Sequence, residues 1–119
     1  MRADVADEVS GAVDTDRRSY CPSFHYTVEL LGRRWNGVIL RALMARAERF
    51  GEIRAAIPGL SDRLLTARLR ELEREGLVSR HCRGAAGAPR YELTAKGQAL
   101  GSVINAMSSW ASDWRPLPD

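Results

Sequence analysis

Apolar residues recur along this chain at two periods, and the change from one to the other marks its elements. Leu65, Leu69 and Leu72 fall at helical spacing between Pro58-Gly59, a turn signal, and Gly76, which can close a helix. Ser61 stands where a side-chain oxygen can accept from the free N–H groups of a first turn. With about 100° of rotation per residue, the opposite face carries Arg63, Ala67, Arg70 and Arg74, with Thr66 at its edge. An apolar stripe backed by arginines and small polar groups suits a helix that lies in a nucleic-acid groove. A solvated surface helix is the plainer alternative, because Glu71, Glu73 and Glu75 share the segment.

The elements before this helix follow from the same pattern. Residues 1–19 contain few large apolar side chains and no sustained period, and read as a mobile tail. Ser23 is the expected N-cap of a short first helix to about Leu31, with Val28 and Leu31 inward and Gly32 ending it. A second helix is expected from about Arg34, with Trp35, Val38, Ile39, Ala42 and Leu43 on one face. Residues 49–57 form a third, with Phe50, Ile53 and Ile57 inward. A short helix, a turn containing Gly and a longer helix make the helix-turn-helix pattern.

After Gly76 the chain changes character. Residues 77–83 are strand-like, 84–89 make a flexible tip, and 90–93 return as a second strand. Such a hairpin after a recognition helix is a wing, here with Arg83 and Arg90 near its base. Thr94 caps a last helix running to about Trp114, before Pro116 forbids continuation. Its stripe of Leu100, Val103, Ile104, Met107, Trp110, Ala111 and Trp114 is richer in aromatics than the edge of a small domain needs. Ordinary core would explain it. The favoured expectation is a dimer interface shared with Val28 and Leu31 of the first helix. The fold class is therefore mainly α with a small β-hairpin, a winged helix-turn-helix over residues 20–116.

Composition narrows the function without deciding it. At 119 residues, 45% hydrophobic and 28% charged, the chain fits one ordinary soluble domain with a tail. No apolar run reaches the ~18 residues of a membrane span, and no signal-peptide core opens the chain, so a cytoplasmic location and no membrane partner are expected. The net charge of +3 is uneven, since residues 1–20 carry −2 and the remainder +5. Of that excess, +3 falls in residues 61–90, which favours a polyanion partner. Two cysteines, Cys21 and Cys82, are too few for a disulfide framework.

A long colinear set of short stretches now carries a resemblance. Cys21-Pro22 is followed by Leu31-Gly32-Arg33-Arg34-Trp35 and Val38-Ile39-Leu40-Arg41-Ala42-Leu43. Arg49-Phe50-Gly51-Glu52-Ile53 leads to Ile57-Pro58-Gly59-Leu60-Ser61 and Leu64-Leu65-Thr66-Ala67-Arg68-Leu69-Arg70-Glu71-Leu72. Gly76-Leu77-Val78-Ser79-Arg80, Tyr91-Glu92-Leu93-Thr94-Ala95-Lys96-Gly97 and Trp110 complete it. Over about residues 20–115 the chain resembles the HxlR-type (DUF24) winged-helix transcriptional regulators. The resemblance implies a homodimeric DNA-binding regulator, often a repressor, joined through its first and last helices. It also implies sensing of oxidants or electrophiles such as quinones, diamide and hypochlorite through the cysteine before the first helix, where Cys21 stands. Arg34 replaces the family's frequent Lys. The wing lacks the usual Pro, aromatic and Glu before its tyrosine, which leaves the family's wing contacts unassigned here. The resemblance assigns Cys82 no role.

The expected partner is double-stranded DNA with two half-sites. Arg63, Thr66, Ala67 and Arg70 are the candidates for base edges, since Arg pairs bidentately with guanine and small methyls meet thymine's methyl. Ser61 and the helix N-terminus are expected to grip a phosphate, and Arg68, Arg83 and Arg90 to hold the backbone. Cys21, near Arg17 and Arg18 and a helix start, is the candidate thiolate, able to bridge to Cys21 or Cys82 of a second subunit. A structural thiol is the alternative. A Cys₂His₂ metal site from Cys21, His25, His81 and Cys82 is disfavoured, because adjacent strand residues point to opposite faces. No cofactor is expected. No nucleophile with a base and orienter is legible either, so an enzyme is not expected. Two further alternatives remain: a regulator responding to a non-redox ligand, and a protein-interaction module on the same scaffold.

Overall fold

A computed structural model describes residues 19–82 and 87–115. The expected tail up to residue 18, Arg17 and Arg18, the wing residues 83–86 including Arg83, and Pro116 lie outside the described residues. Contacts divide the chain between Gly32 and Arg33 into two compact units.

The first unit contains helix α1, Pro22–Gly32. Proline suits a first helical position, because its fixed φ fits the helix and its missing N–H would have no partner there. The His25 N–H donates to the Cys21 carbonyl at 2.9 Å, so the cap falls at Cys21 rather than at the expected Ser23. The inward face also differs from expectation. Leu30 is buried and Leu31 half-buried, whereas Val28 is 50% exposed.

The second unit holds α2 (Asn36–Met44), α3 (Phe50–Ala56), α4 (Asp62–Arg74), β1 (Val78–His81), β2 (Arg90–Leu93), α5 (Ala95–Ala99) and α6 (Gly101–Trp114). Trp35 precedes α2 at φ +81°, a left-handed conformation that costs a bulky residue about 1–3 kcal/mol. In α2, Ile39, Ala42 and Leu43 are buried as expected, together with Asn36 and Leu40, whereas Val38 is exposed. Glu52 closes the start of α3, its carboxylate accepting from the N–H groups of Arg49 at 3.0 Å and Glu48 at 2.9 Å. Those two bonds hold the Glu52 carboxyl below the ordinary glutamate range.

Helix α4 is capped as the sequence indicates, with Leu64 N–H donating to Ser61 Oγ at 3.1 Å. Leu65, Leu69 and Leu72 face the core with Ile39, Ile53 and Leu60. Gly76, at φ +79°, ends the helix in the left-handed conformation that glycine adopts without strain. The hairpin is antiparallel, with Val78 opposite Leu93 and Arg80 opposite Tyr91. A bridge from Arg49 to Arg90, and the Tyr91 N–H on the Glu48 carbonyl at 2.8 Å, lay one more short segment beside β2.

The expected single last helix is two. Thr94 caps α5, its Oγ1 accepting from Gly97 N–H at 3.1 Å. A Cβ on Gly97 would lie 2.1 Å from the Leu77 carbonyl oxygen, so α5 is pressed against the strand entry at a point only glycine fits. A turn at Leu100, whose N–H donates to the Gly97 carbonyl at 3.1 Å, separates α5 from α6. Helix α6 packs on α2, and its one buried residue is Ile104, which is 5% exposed. Ile104 is therefore core of the protomer and not part of an open interface, as is the half-buried Leu100 in part. Val103, Met107, Trp110 and Trp114 are all exposed. Among the described residues no helix is long and apolar enough to cross a membrane.

Candidate nucleic-acid interface

The site is built on α4, a rod about 20 Å long whose inner face is fixed by three buried leucines. Its outer face then follows from helical geometry: Arg63, Ala67, Arg70 and Arg74 are exposed and Thr66 is half-buried. Two of the three acids of this helix, Asp62 and Glu71, are paired with arginines. Asp62 Oδ1 accepts from Arg54 Nε at 2.6 Å, and Glu71 accepts from Arg33 while lying 3.6 Å from Arg68 Nη1. Arg63, Arg70 and Arg74 make no ion pair among the described residues. Glu73 is exposed and makes no ion pair among the described residues, so the surface of the helix is cationic on balance, with Arg63, Arg70 and Arg74 against one unpaired acid.

Two expected backbone-holding arginines are engaged inside the protein. Arg68 donates through Nε to the Arg34 carbonyl at 3.0 Å, and its side chain is 23% exposed. Arg90 donates through Nη1 to Glu48 Oε1 at 2.9 Å, beside the bridge that pairs its backbone. Each therefore has a specific partner within the chain. The N-terminus of α4 likewise carries its own anion, since Asp62 occupies the first turn where a phosphate was expected.

One cation was missed. Arg80 on β1 is exposed and without an ion pair among the described residues. With Tyr91 it closes a cleft of about 120 Å³ against Thr66, Arg70 and Glu73 of α4. Burial is the main cause that pushes the Tyr91 phenol above its ordinary pKa, with nearby Arg80 opposing it. The period-two rule held the signal: Val78 faces inward, so Arg80 shares its face and extends it toward α4. On the other face Ser79 Oγ lies 2.9 Å from His81 Nε2, which is 3.5 Å from Glu92 Oε1.

Both cysteines are free thiols and exposed. Cys21 sits at the start of α1, next to Tyr20, whose ring lies 5.5 Å from that of His25. Cys82 follows directly on β1.

Residues 30–118 match the HxlR-like helix-turn-helix family. The HTH-type transcriptional regulator YvaP of Bacillus subtilis is 42% identical over 95 residues, covering 79% of this chain and 88% of YvaP. YodB of the same organism, another HTH-type transcriptional regulator, is 40% identical over 95 residues, covering 79% and 85%. The reduced form of YodB superposes with a TM-score of 0.72 at 39% identity, covering 84% of this chain and 99% of that one. Its diamide-treated form gives 0.68 at 39%, covering 82% and 97%. The redox regulator HypR in its reduced form gives 0.72 at 30%, covering 78% and 93%. With a helix-turn-helix, a following hairpin and this match over most of its length, the chain belongs to the HxlR-like helix-turn-helix family of transcriptional regulators.

Proposed function

We propose that the chain binds operator DNA as a homodimer and represses transcription, releasing DNA when Cys21 is oxidised or alkylated. The observation that carries the DNA reading is the outer face of α4, where Arg63, Thr66, Ala67 and Arg70 lie and two of the helix's three acids, Asp62 and Glu71, are paired with Arg54 and Arg33. Arginine at the start of such a helix recognises guanine O6 and N7, and the Thr66 and Ala67 methyls suit thymine. Ser61, whose hydroxyl hydrogen is still available, and Arg80 are suited to backbone phosphates; Arg83 belongs with them by sequence. Two copies of α4 must reach half-sites about 34 Å apart, and the exposed Val103, Met107, Trp110 and Trp114 supply an apolar face for pairing.

Support for a redox response comes from the exposed Cys21 at a helix start and from the relatives' forms. YodB has a diamide-treated form and HypR is named a redox regulator. Loss of two electrons from a pair of thiols to an oxidant such as diamide forms a disulfide, here from Cys21 to Cys21 or Cys82 of the second subunit. A shift of one recognition helix against the other then breaks the half-site spacing.

The test is a fluorescence-anisotropy titration of the protein on DNA from its own upstream region, at fixed salt, with and without diamide. Tight binding that weakens with salt, with release by diamide in wild type and not in Cys21→Ser, is the expected result. A Cys21→Ser protein released like wild type removes the redox part. Equal affinity for every sequence removes the operator part.

A further inference from the structure

Between Gly32 and α2 the chain makes a corner whose residues all reach the helix-turn-helix. Arg33 Nη1 donates to Glu71 Oε2 of α4. The next carbonyl, that of Arg34, accepts from Arg68 Nε at 3.0 Å. Trp35 follows in its left-handed conformation, and its Cη2 would lie 3.7 Å from a Cβ placed on Gly59, within the turn that leads into α4. The Arg34 guanidinium stands 4.9 Å from the centre of the Trp35 ring. Three consecutive residues therefore hold α4 at its middle and the turn before it.

Glu71 is the element that base reading does not explain. An acid on a DNA-binding helix repels phosphate. Yet this one is only 13% exposed at its side chain and lies between two arginines, Arg33 and Arg68. Its position is one helical step, about 100°, from Arg70 on the outer face. Side-chain tips lie about 5–6 Å from a helix axis, so a roll of about 15° moves them by roughly 1.5 Å, enough to break a bidentate hydrogen bond. The three leucines oppose such a roll only through non-directional packing. The corner opposes it through directional bonds.

We propose that the Arg33–Arg34–Trp35 corner sets the rotation of α4, and that Glu71 is a positioning residue for operator reading despite its unfavourable charge toward DNA. The inference rests on the proposed DNA-reading role of α4. It separates from simple electrostatics by sign. Removing the charge of Glu71 strengthens binding to all DNA if charge alone matters, but weakens operator binding selectively if position matters.

The experiment uses the full chain in anisotropy titrations on an operator duplex and on a scrambled duplex of equal length, at one salt concentration. Glu71→Gln removes the charge. Arg68→Lys keeps its positive charge but loses the Nε donor to Arg34. Each is expected to lower the ratio of operator to scrambled affinity by about five- to tenfold. Scrambled binding itself is unchanged or tighter for Glu71→Gln. Thermal melts of both variants separate this from loss of the fold, which lowers the active fraction equally on both duplexes. If either folded variant binds operator and scrambled DNA with the wild-type ratio, the corner does not set the reading. A wild type that fails to prefer operator overturns the DNA-reading role itself, and this inference with it.

Discussion

Helices α4 and α6 are nearly equal in length and both amphipathic, but their exposed faces differ in kind. Helix α4 buries Leu65, Leu69 and Leu72 and turns arginines outward. Helix α6 buries only Ile104 and leaves Trp110 at 59% and Trp114 at 72% exposed. The face of α4 is soluble by itself and matches a polyanion. The face of α6 leaves large apolar area in water, at roughly 25 cal/mol for each Å² that a partner surface can cover. One helix has its apolar side covered within the chain and a charged side in water. The other keeps Val103, Met107, Trp110 and Trp114 exposed.

The largest effects should test that division. Leu69→Ala removes a side chain that is 2% exposed and is expected to destabilise the protomer by about 2–5 kcal/mol in a denaturant melt. Trp110→Ala, by contrast, should cost the protomer little but move sedimentation from dimer toward monomer at micromolar concentration. Equal losses of protomer stability from the two changes, with assembly unaltered, would erase the distinction. Next in size are the cations of the interface. Arg63→Ala is expected to weaken operator binding by about 1–3 kcal/mol and relax specificity, while Arg80→Ala weakens all sequences alike and lowers the salt slope by about one. An unchanged operator affinity for Arg63→Ala would be fatal to its placement against bases.

The smallest effect concerns the cap that starts α3, the helix before α4. Because the folded state holds the Glu52 pKa down, its contribution to stability is present above the ordinary glutamate value of about 4.3. That contribution is lost as pH falls through the lower folded value. Wild type should therefore lose melting temperature more steeply below about pH 4.3 than Glu52→Gln does. Parallel curves for the two proteins would show that the carboxylate's charge adds nothing to the cap.

Much of the fold was legible because it depends on neighbours in sequence. The leucine spacing, the Ser61 and Thr94 caps and the Gly76 stop all act within one turn of helix, and each is found as read. The inner face of α2 was legible in part, since Ile39, Ala42 and Leu43 are buried as expected. Trp35 takes a left-handed conformation that no local preference favours, and Val38 gives its inward place to Leu40. The turn at Leu100 and the close packing of Gly97 against the Leu77 carbonyl, twenty positions earlier in the chain, were not legible.

The candidate interface divides in the same way. By itself the sequence determined which residues of α4 face outward, because helical period and three leucines leave no other choice. It also carried the family, through a colinear series of short motifs that the match over residues 30–118 bears out. Only the tertiary structure decided which arginines are free. Arg68 and Arg90 find partners 34 and 42 positions away, while Arg63, Arg70 and Arg80 find none among the described residues. A guanidinium on a long flexible stem satisfies itself wherever folding brings an acceptor within reach. Charge on a face can be read from spacing, but its availability depends on what the folded chain sets beside it.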